Sequence, residues 1–131
     1  MPLRLRIITI EKTLVDEDVE LVNVNTTEGA TGVLANHIPL LARVLPGTLR
    51  YKTKTREHRL VSSTGSIEVK NNIATVLIGE AVPVESIDVA KAEAEHNRLL
   101  SDIKGGSLTA IELKEAREQL ATVTAKLRAR K

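Results

Sequence analysis

The chain contains no cysteine, tryptophan or phenylalanine, and its aromatic content is a single tyrosine, Tyr51. Without thiols there is no disulfide, no thiolate metal site and no cysteine nucleophile, and the composition fits a reducing compartment. Without aromatic platforms, base stacking is disfavoured as a way of binding nucleic acid. No apolar run approaches the roughly 18 residues of a membrane span, and Met1-Pro2-Leu3-Arg4 begins no secretory signal. The expectation is a soluble protein that meets a membrane only through a partner.

Aliphatic residues are plentiful. Forty of the 131 residues are Leu, Ile or Val, far above the range of disordered chains and enough for a core. The length suits one domain, or a small domain with an appendage. The net charge of +2 conceals an asymmetry: residues 1–86 carry ten basic and ten acidic side chains, residues 87–131 nine and seven. Lys126, Arg128, Arg130 and Lys131 fall in the last six positions with no acid among them, which makes the end of the chain a cationic handle.

Two periodicities divide the chain. Up to about residue 85 the pattern is that of short strands. Leu3, Leu5 and Ile7 alternate with arginines before the phase slips to Ile8 and Ile10, as a bulge would cause. Further strands are expected at residues 21–24, 48–55, 59–61, 67–69 and 73–78, the last two joined by the turn pair Asn71-Asn72. Arg50, Lys52, Lys54 and Arg56 form a basic ladder on one face of the second of these, as a solvated, edge-protecting face or a phosphate stripe. Beyond Pro83 the period lengthens. Ser86 suits an N-cap, and Val89, Ala92, His96, Leu99 and Ile103 recur at helical spacing. Lys104-Gly105-Gly106 ends that helix. A second opens at Ser107 or at the capping box Thr109-x-x-Glu112, with the seam Leu113, Ala116, Leu120, Val123 and Leu127. The reading is α+β: an antiparallel β-sandwich or flattened barrel over residues 1–85, then an antiparallel two-helix hairpin over 86–131. The seam is thin, so the hairpin is expected to lie only a few kcal/mol from opening, on the order of the stability of a marginal unit.

No catalytic constellation emerges. His37, His58 and His96 are scattered without a carboxylate or second histidine at ligand spacing, and Gly29 and Gly32 lack the lysine and strand–helix context of a phosphate loop. The chain is therefore expected not to be an enzyme and to hold no metal. One stretch does suggest a shaped binding surface. The pair Gly29 and Gly32 points to a tight turn, followed by Asn36-His37, Pro39 and two leucines. His37 serves there either as a partner contact or as a hydrogen-bonding partner of nearby backbone. His96, on an apolar seam, reads as packing.

The order of these pieces resembles the ε subunit of bacterial and chloroplast F-type ATP synthases. The likeness rests on Glu28-Gly29-Ala30-Thr31-Gly32 followed by His37-Ile38-Pro39-Leu40. Pro46-Gly47, the segment Ser63 to Val69, and Ile87-Asp88 opening a helical hairpin then follow in order. The resemblance implies a ten-stranded β-sandwich with two C-terminal helices, a non-catalytic part of the rotor's central stalk. Its implied partners are the γ subunit, the c-ring and the α/β catalytic head. The segment Glu28, Gly29, Ala30, Thr31 and Gly32 would meet the c-ring, and His37 would lie toward γ. When the hairpin extends, Arg117, Lys126, Arg128, Arg130 and Lys131 would meet an acidic segment of the β subunit and inhibit ATP hydrolysis. Ala30 departs from the family pattern, which often has an acidic residue there.

Some members bind ATP between the helices through an Ile/Leu-Asp-x-x-Arg-Ala motif. Here the matching set is Asp88, Lys91, Arg98 and Arg117. Lys91 lacks the planar fork of arginine, and Ala121 stands where ATP-binding members carry another arginine. ATP is accordingly expected as a weak regulatory ligand or none, and no other cofactor is implied. The resemblance places the protein peripherally on the cytoplasmic face of a bacterial plasma membrane, or on the stromal face of a thylakoid. Two other readings stay open: a stand-alone nucleotide-sensing β-sandwich whose hairpin closes on a ligand, and an adaptor that presents the hairpin to a partner.

Overall fold

The computed structural model describes residues 2–130. Ten strands come first: β1 (Leu3–Ile8), β2 (Thr13–Val19), β3 (Leu21–Thr26), β4 (Gly29–Val33), β5 (Leu40–Val44), β6 (Gly47–Lys52), β7 (Glu57–Ser62), β8 (Gly65–Lys70), β9 (Ile73–Ile78) and β10 (Ala81–Pro83). A 3-10 turn (Val84–Ser86) then leads into helices α1 (Val89–Lys104) and α2 (Ala110–Ala129).

The strands form one curled sheet in the order β10-β7-β6-β3-β5-β8-β9-β1-β2, with β4 paired to β3 off this path. The curl is made at β3. Its first half pairs with β6 (Leu21↔Lys52), while its last residue meets β5 (Thr26↔Val44). One pairing departs from the antiparallel expectation: β1 and β9 run parallel, from Arg4↔Ile73 to Ile8↔Leu77. Parallel neighbours need a long crossover, and here most of the β domain lies between them.

Strand alternation builds the core. Leu3, Leu5 and Ile7 of β1 are fully buried, and Val22, Val24, Leu49, Tyr51, Ile67, Val69, Ala74 and Val76 are among the residues that enclose them. Each large aliphatic buried there stabilises by about 1.5–3 kcal/mol. The phase slip after Ile7 is a register shift against β2, as the sequence suggests. β2 is absent from the strands expected on sequence, because Asp16, Glu17 and Asp18 give it low strand propensity. Its partner accounts for it: Arg4 Nε donates to Asp16 Oδ1 at 2.8 Å and Arg4 Nη1 to Asp18 Oδ1 at 3.3 Å across the ladder. Asn71 and Asn72 have φ of 52° and 61°, the paired positive values of a type I′ hairpin turn. The basic ladder is shorter than expected. β6 ends at Lys52, so Lys54 and Arg56 sit on the following turn. β6 is also flanked by β3 and β7, which removes any edge-protecting role.

The hairpin has a separate, small core: Ala92, Leu99, Ala116 and Val123, with Ile103, Leu108, Leu120 and Leu127 packed around them. The N-cap of α1 is Asp88, which accepts from the Lys91 backbone N–H at 3.1 Å, whereas Ser86 lies in the 3-10 turn. The capping box of α2 is complete. Thr109 Oγ1 accepts from the Glu112 N–H at 3.2 Å, and Glu112 Oε1 accepts from the Thr109 N–H at 3.0 Å. Between the helices Gly106 takes φ of +71°, a left-handed stop that glycine adopts without strain. α2 packs on β6 and β7. Neither helix is long and apolar enough to cross a membrane.

Candidate functional site

The Glu28–Gly32 segment is a β-hairpin tip with a short arm, not an irregular loop. Thr26 pairs with Gly29, so Thr27 and Glu28 alone form the turn. Gly29, at φ +104°, is the left-handed residue that follows the turn, a conformation glycine adopts without steric cost. Gly32 has an ordinary strand conformation in β4, where an added Cβ would meet only Leu21 Cδ1 at 3.8 Å. Of the two glycines, then, only Gly29 is required by backbone geometry. Buried Thr26 fastens the tip: its hydroxyl donates to Gly29 O at 3.0 Å and accepts from the Glu28 N–H at 3.1 Å. Thr31 Oγ1 lies 3.1 Å from Thr26 Oγ1. Glu28 and Ala30 are exposed on this stiffened tip.

The other end of β4 leads into the loop that carries His37. His37 is half-buried, its Nδ1 lies 2.6 Å from Ile38 O and its backbone N–H donates to Leu34 O at 3.2 Å. Asn36, at φ 64°, donates its N–H to Asn72 Oδ1 at 2.6 Å. Leu34, Ile38 and Leu41 project outward, Ile38 and Leu41 at 75% and 77% exposure. Such residues, held on an ordered loop beside a histidine, form a surface suited to a partner. Ile10 and Leu77 form a second exposed apolar pair, lining one shallow cleft at the far end of β1 and β9.

The hairpin's charged residues fall into distinct groups. Lys126 is mostly covered and its Nζ lies 3.1 Å from Glu80 Oε1, just before β10. Arg43 Nη2 of β5 lies 3.9 Å from Glu118 Oε1. Arg117, Arg128 and Arg130 are exposed and have no ion pair among the described residues, and Lys131 lies outside them. Sequence reasoning missed Glu80, Arg43 and Glu118, whose ion pairs tie α2 to the sheet, and the buried Thr122, whose hydroxyl donates to Glu118 O within α2 at 3.2 Å. Nothing in the apolar period of α2 distinguishes this second face.

Two clefts run beside the docked hairpin. One, of about 530 Å³, lies between Glu80 on the sheet side and Glu95, Arg98, Glu115 and Glu118 on the helices. Four carboxylates against one guanidinium make it unfavourable for a polyanion, and Arg98 is already 3.4 Å from Asp102. The other, of about 420 Å³, has Leu45, Pro46 and Leu113 in its lining with Arg43, Lys114 and Arg117. Arg98 and Arg117 thus open into different clefts. Asp88 is engaged as a helix cap, and Lys91 is exposed. The four residues matching the ATP motif do not converge on one cavity.

A β-sandwich of these strands followed by a two-helix hairpin is a known subunit architecture. Residues 2–84 match the family model described as ATP synthase, Delta/Epsilon chain, beta-sandwich domain. The ATP synthase epsilon chain of Desulfosudis oleivorans is 41% identical over 105 residues, 79% of each chain. That of Chromobacterium violaceum is 34% identical over 128 residues, 96% of this chain and 91% of the relative, so the likeness extends through both helices. A chain of the Euglena gracilis mitochondrial ATP synthase, solved as an OSCP/F1/c-ring assembly, shares the fold. Its TM-score is 0.82 at 22% identity, covering 98% of this chain and 81% of that one. The protein belongs to the ATP synthase epsilon-chain family, bacterial in type, whose members are non-catalytic subunits of the synthase.

Proposed function

We propose that this chain couples the γ subunit to the c-ring in the central stalk of a proton-translocating F-type ATP synthase, and that its helical hairpin restrains ATP hydrolysis. The observation that carries the regulatory half is the independence of the hairpin. Its core is separate from that of the sheet, and two ion pairs, Lys126–Glu80 and Arg43–Glu118, tie α2 to it. A unit so joined can detach without unfolding the β domain. Exposed Arg117, Arg128 and Arg130 then become available to an acidic segment of the catalytic head, in a contact sensitive to salt.

In the coupling half, the Thr26-braced tip at Glu28 meets the polar loops of the c-ring. Leu34, Ile38 and Leu41, with His37 among them, are covered by γ. The Euglena assembly that holds the similar chain also includes a c-ring, which supports this placement. The chain reaches the cytoplasmic face of the membrane through the complex. ATP binds weakly or not at all, since the acid-lined cleft repels it and Asp88, Lys91, Arg98 and Arg117 are dispersed. The same dispersion counts against a stand-alone nucleotide sensor.

The test adds the intact chain, or a chain ending at Glu85, to a catalytic complex depleted of this subunit and follows ATP hydrolysis. Binding by both with slowing by the intact chain alone is the expected result. Binding by both without slowing leaves a coupling subunit with no brake, and absence of binding overturns the assignment.

A further inference from the structure

We propose that Glu80 is an internal competitor for Lys126: it occupies, in the docked hairpin, a cation that the extended hairpin offers to the catalytic head. This rests on the reading above that the cations of α2 meet an acidic partner. Four observations lead to it. Lys126 Nζ is 3.1 Å from Glu80 Oε1, and the Lys126 side chain is only 17% exposed, so the pair is shielded from solvent on the lysine side. Glu80 is held in place through its backbone: its N–H donates to Ser63 Oγ at 2.9 Å, and its carbonyl accepts from the Ser63 N–H at 3.1 Å. Glu95, Glu115 and Glu118 line the same cleft as Glu80, which deepens the negative field that faces Lys126. Finally, Arg128 and Arg130 on the same helix end are exposed and unpaired among the described residues, so docking engages Lys126 and leaves them free. The second tie, Arg43–Glu118, is longer, at 3.9 Å, and both its side chains are well exposed, which makes it the weaker of the two.

One ammonium cannot serve both carboxylate sites, so the Glu80 pair shifts the hairpin toward the docked state by its strength and is lost when the hairpin extends. Removing Glu80 therefore promotes inhibition, whereas removing Lys126 loosens docking and weakens inhibition together. A general weakening of the hairpin would not produce that opposition.

The absence of cysteine makes the test clean. Thr122→Cys, at a position 5% exposed beside the cleft between sheet and hairpin, reports opening in the full-length chain as the rate of its alkylation, which follows the open population. ATP hydrolysis by the reconstituted complex, measured without this cysteine, reports inhibition. Glu80→Gln is expected to speed alkylation about threefold, the scale of one ion pair, and to strengthen inhibition. Lys126→Gln is expected to speed alkylation as much and weaken inhibition. The charge swap Glu80→Lys with Lys126→Glu is expected to restore slow alkylation without recovering inhibition. Unchanged alkylation in Glu80→Gln, or no recovery in the swap, overturns the pairing; unchanged or weaker inhibition in Glu80→Gln overturns the competition. Arg128→Gln with Arg130→Gln probes the underlying reading. These substitutions are expected to leave alkylation unchanged and relieve inhibition, and unchanged inhibition would overturn that reading while the alkylation rates still decide the pairing.

Discussion

Asn36 and Asn72, 36 residues apart, bind each other reciprocally: the Asn36 backbone N–H donates to Asn72 Oδ1 at 2.6 Å, and Asn72 Nδ2 donates to Asn36 Oδ1 at 3.3 Å. Both have positive φ, 64° and 61°, a conformation asparagine tolerates better than most residues. The contact ties the loop carrying His37 to the β8–β9 turn. Asn72 therefore has two roles that substitution can separate. Asn72→Gly keeps the turn conformation and removes the side-chain bonds; Asn72→Asp keeps an acceptor. Loss of the bonds is expected to cost about 1–2 kcal/mol in Asn72→Gly, read by urea denaturation, with faster proteolysis within residues 34–39. Asn72→Asp is expected to retain much of the loop's protection. Equal proteolysis rates in wild type and Asn72→Gly would show that the tie does not order the loop.

The two glycines of the β3–β4 hairpin should respond very differently to a methyl group. At Gly29 the left-handed backbone penalises alanine by about 1–2 kcal/mol, although space is open around it. At Gly32 the backbone is ordinary and the nearest atom, Leu21 Cδ1, is at van der Waals distance. Gly32→Ala is expected to be neutral or slightly stabilising, because it restricts the unfolded chain. Thermal melts of the two variants test this, and equal destabilisation would contradict the assignment of the turn to Gly29.

Much of the fold was legible because most strands follow the alternation of their own residues. Leu3-Arg4-Leu5-Arg6-Ile7 and the type I′ pair Asn71-Asn72 carry their structure locally, as do the two helical seams and the box at Thr109 and Glu112. What was not legible depends on a distant partner. β2 is acidic and becomes a strand opposite Arg4; β4 is glycine-rich and reads as a loop until β3 is beside it; β5 opens on two adjacent leucines, the second of them exposed, and so shows no apolar alternation; β10 is three residues ending in Pro83. The parallel pairing of β1 with β9 has no local signature. At the candidate site, the exposed cations Arg128 and Arg130 were visible as charge, but the docking partners Glu80 and Glu118 were ordinary surface acids in the sequence. Ser86 was the reasonable N-cap by residue type, yet Asp88, two positions later, has the capping geometry. The assignment of surfaces to subunits came from family resemblance, not from any chemistry local to the residues.

Acidification should loosen α2 from its N-terminus. The backbone N–H of Thr109, and then its side chain, hold the Glu112 carboxyl below the ordinary glutamate pKa. A folded-state pKa below the unfolded one contributes stability above the unfolded value, and this is lost as pH falls through the folded value. The loss therefore belongs to the acid side of the carboxylate range and not to neutral pH. Carboxyl carbon shifts followed by NMR are expected to titrate at Glu112 below the value of free glutamate. Thr109→Ala is expected to move that midpoint upward, and a midpoint already at the free value would remove the capping box as a source of acid sensitivity.

The hairpin should melt before the sheet, and Leu99 is the residue that tests it. Leu99 is 1% exposed in a seam whose other buried members are two alanines and a valine, so its side chain is the largest piece of that core. Leu99→Ala leaves a cavity that the neighbouring alanines cannot fill, and a buried Leu→Ala change costs about 2–5 kcal/mol. A hairpin this thin is not expected to withstand that loss, whereas the sheet keeps its own core from Leu3 to Ile78. Two probes separate the units, because Tyr51, the single aromatic, is buried within the sheet and the helical circular-dichroism signal at about 222 nm belongs to α1 and α2. In Leu99→Ala the helical signal is expected to fall well below the temperature at which Tyr51 fluorescence changes. In Leu5→Ala the loss falls in the sheet, and the Tyr51 transition itself moves down. Coincident transitions in Leu99→Ala would mean that the hairpin and sheet unfold as one cooperative unit. A hairpin that cannot leave the sheet without unfolding it could not act as a detachable brake.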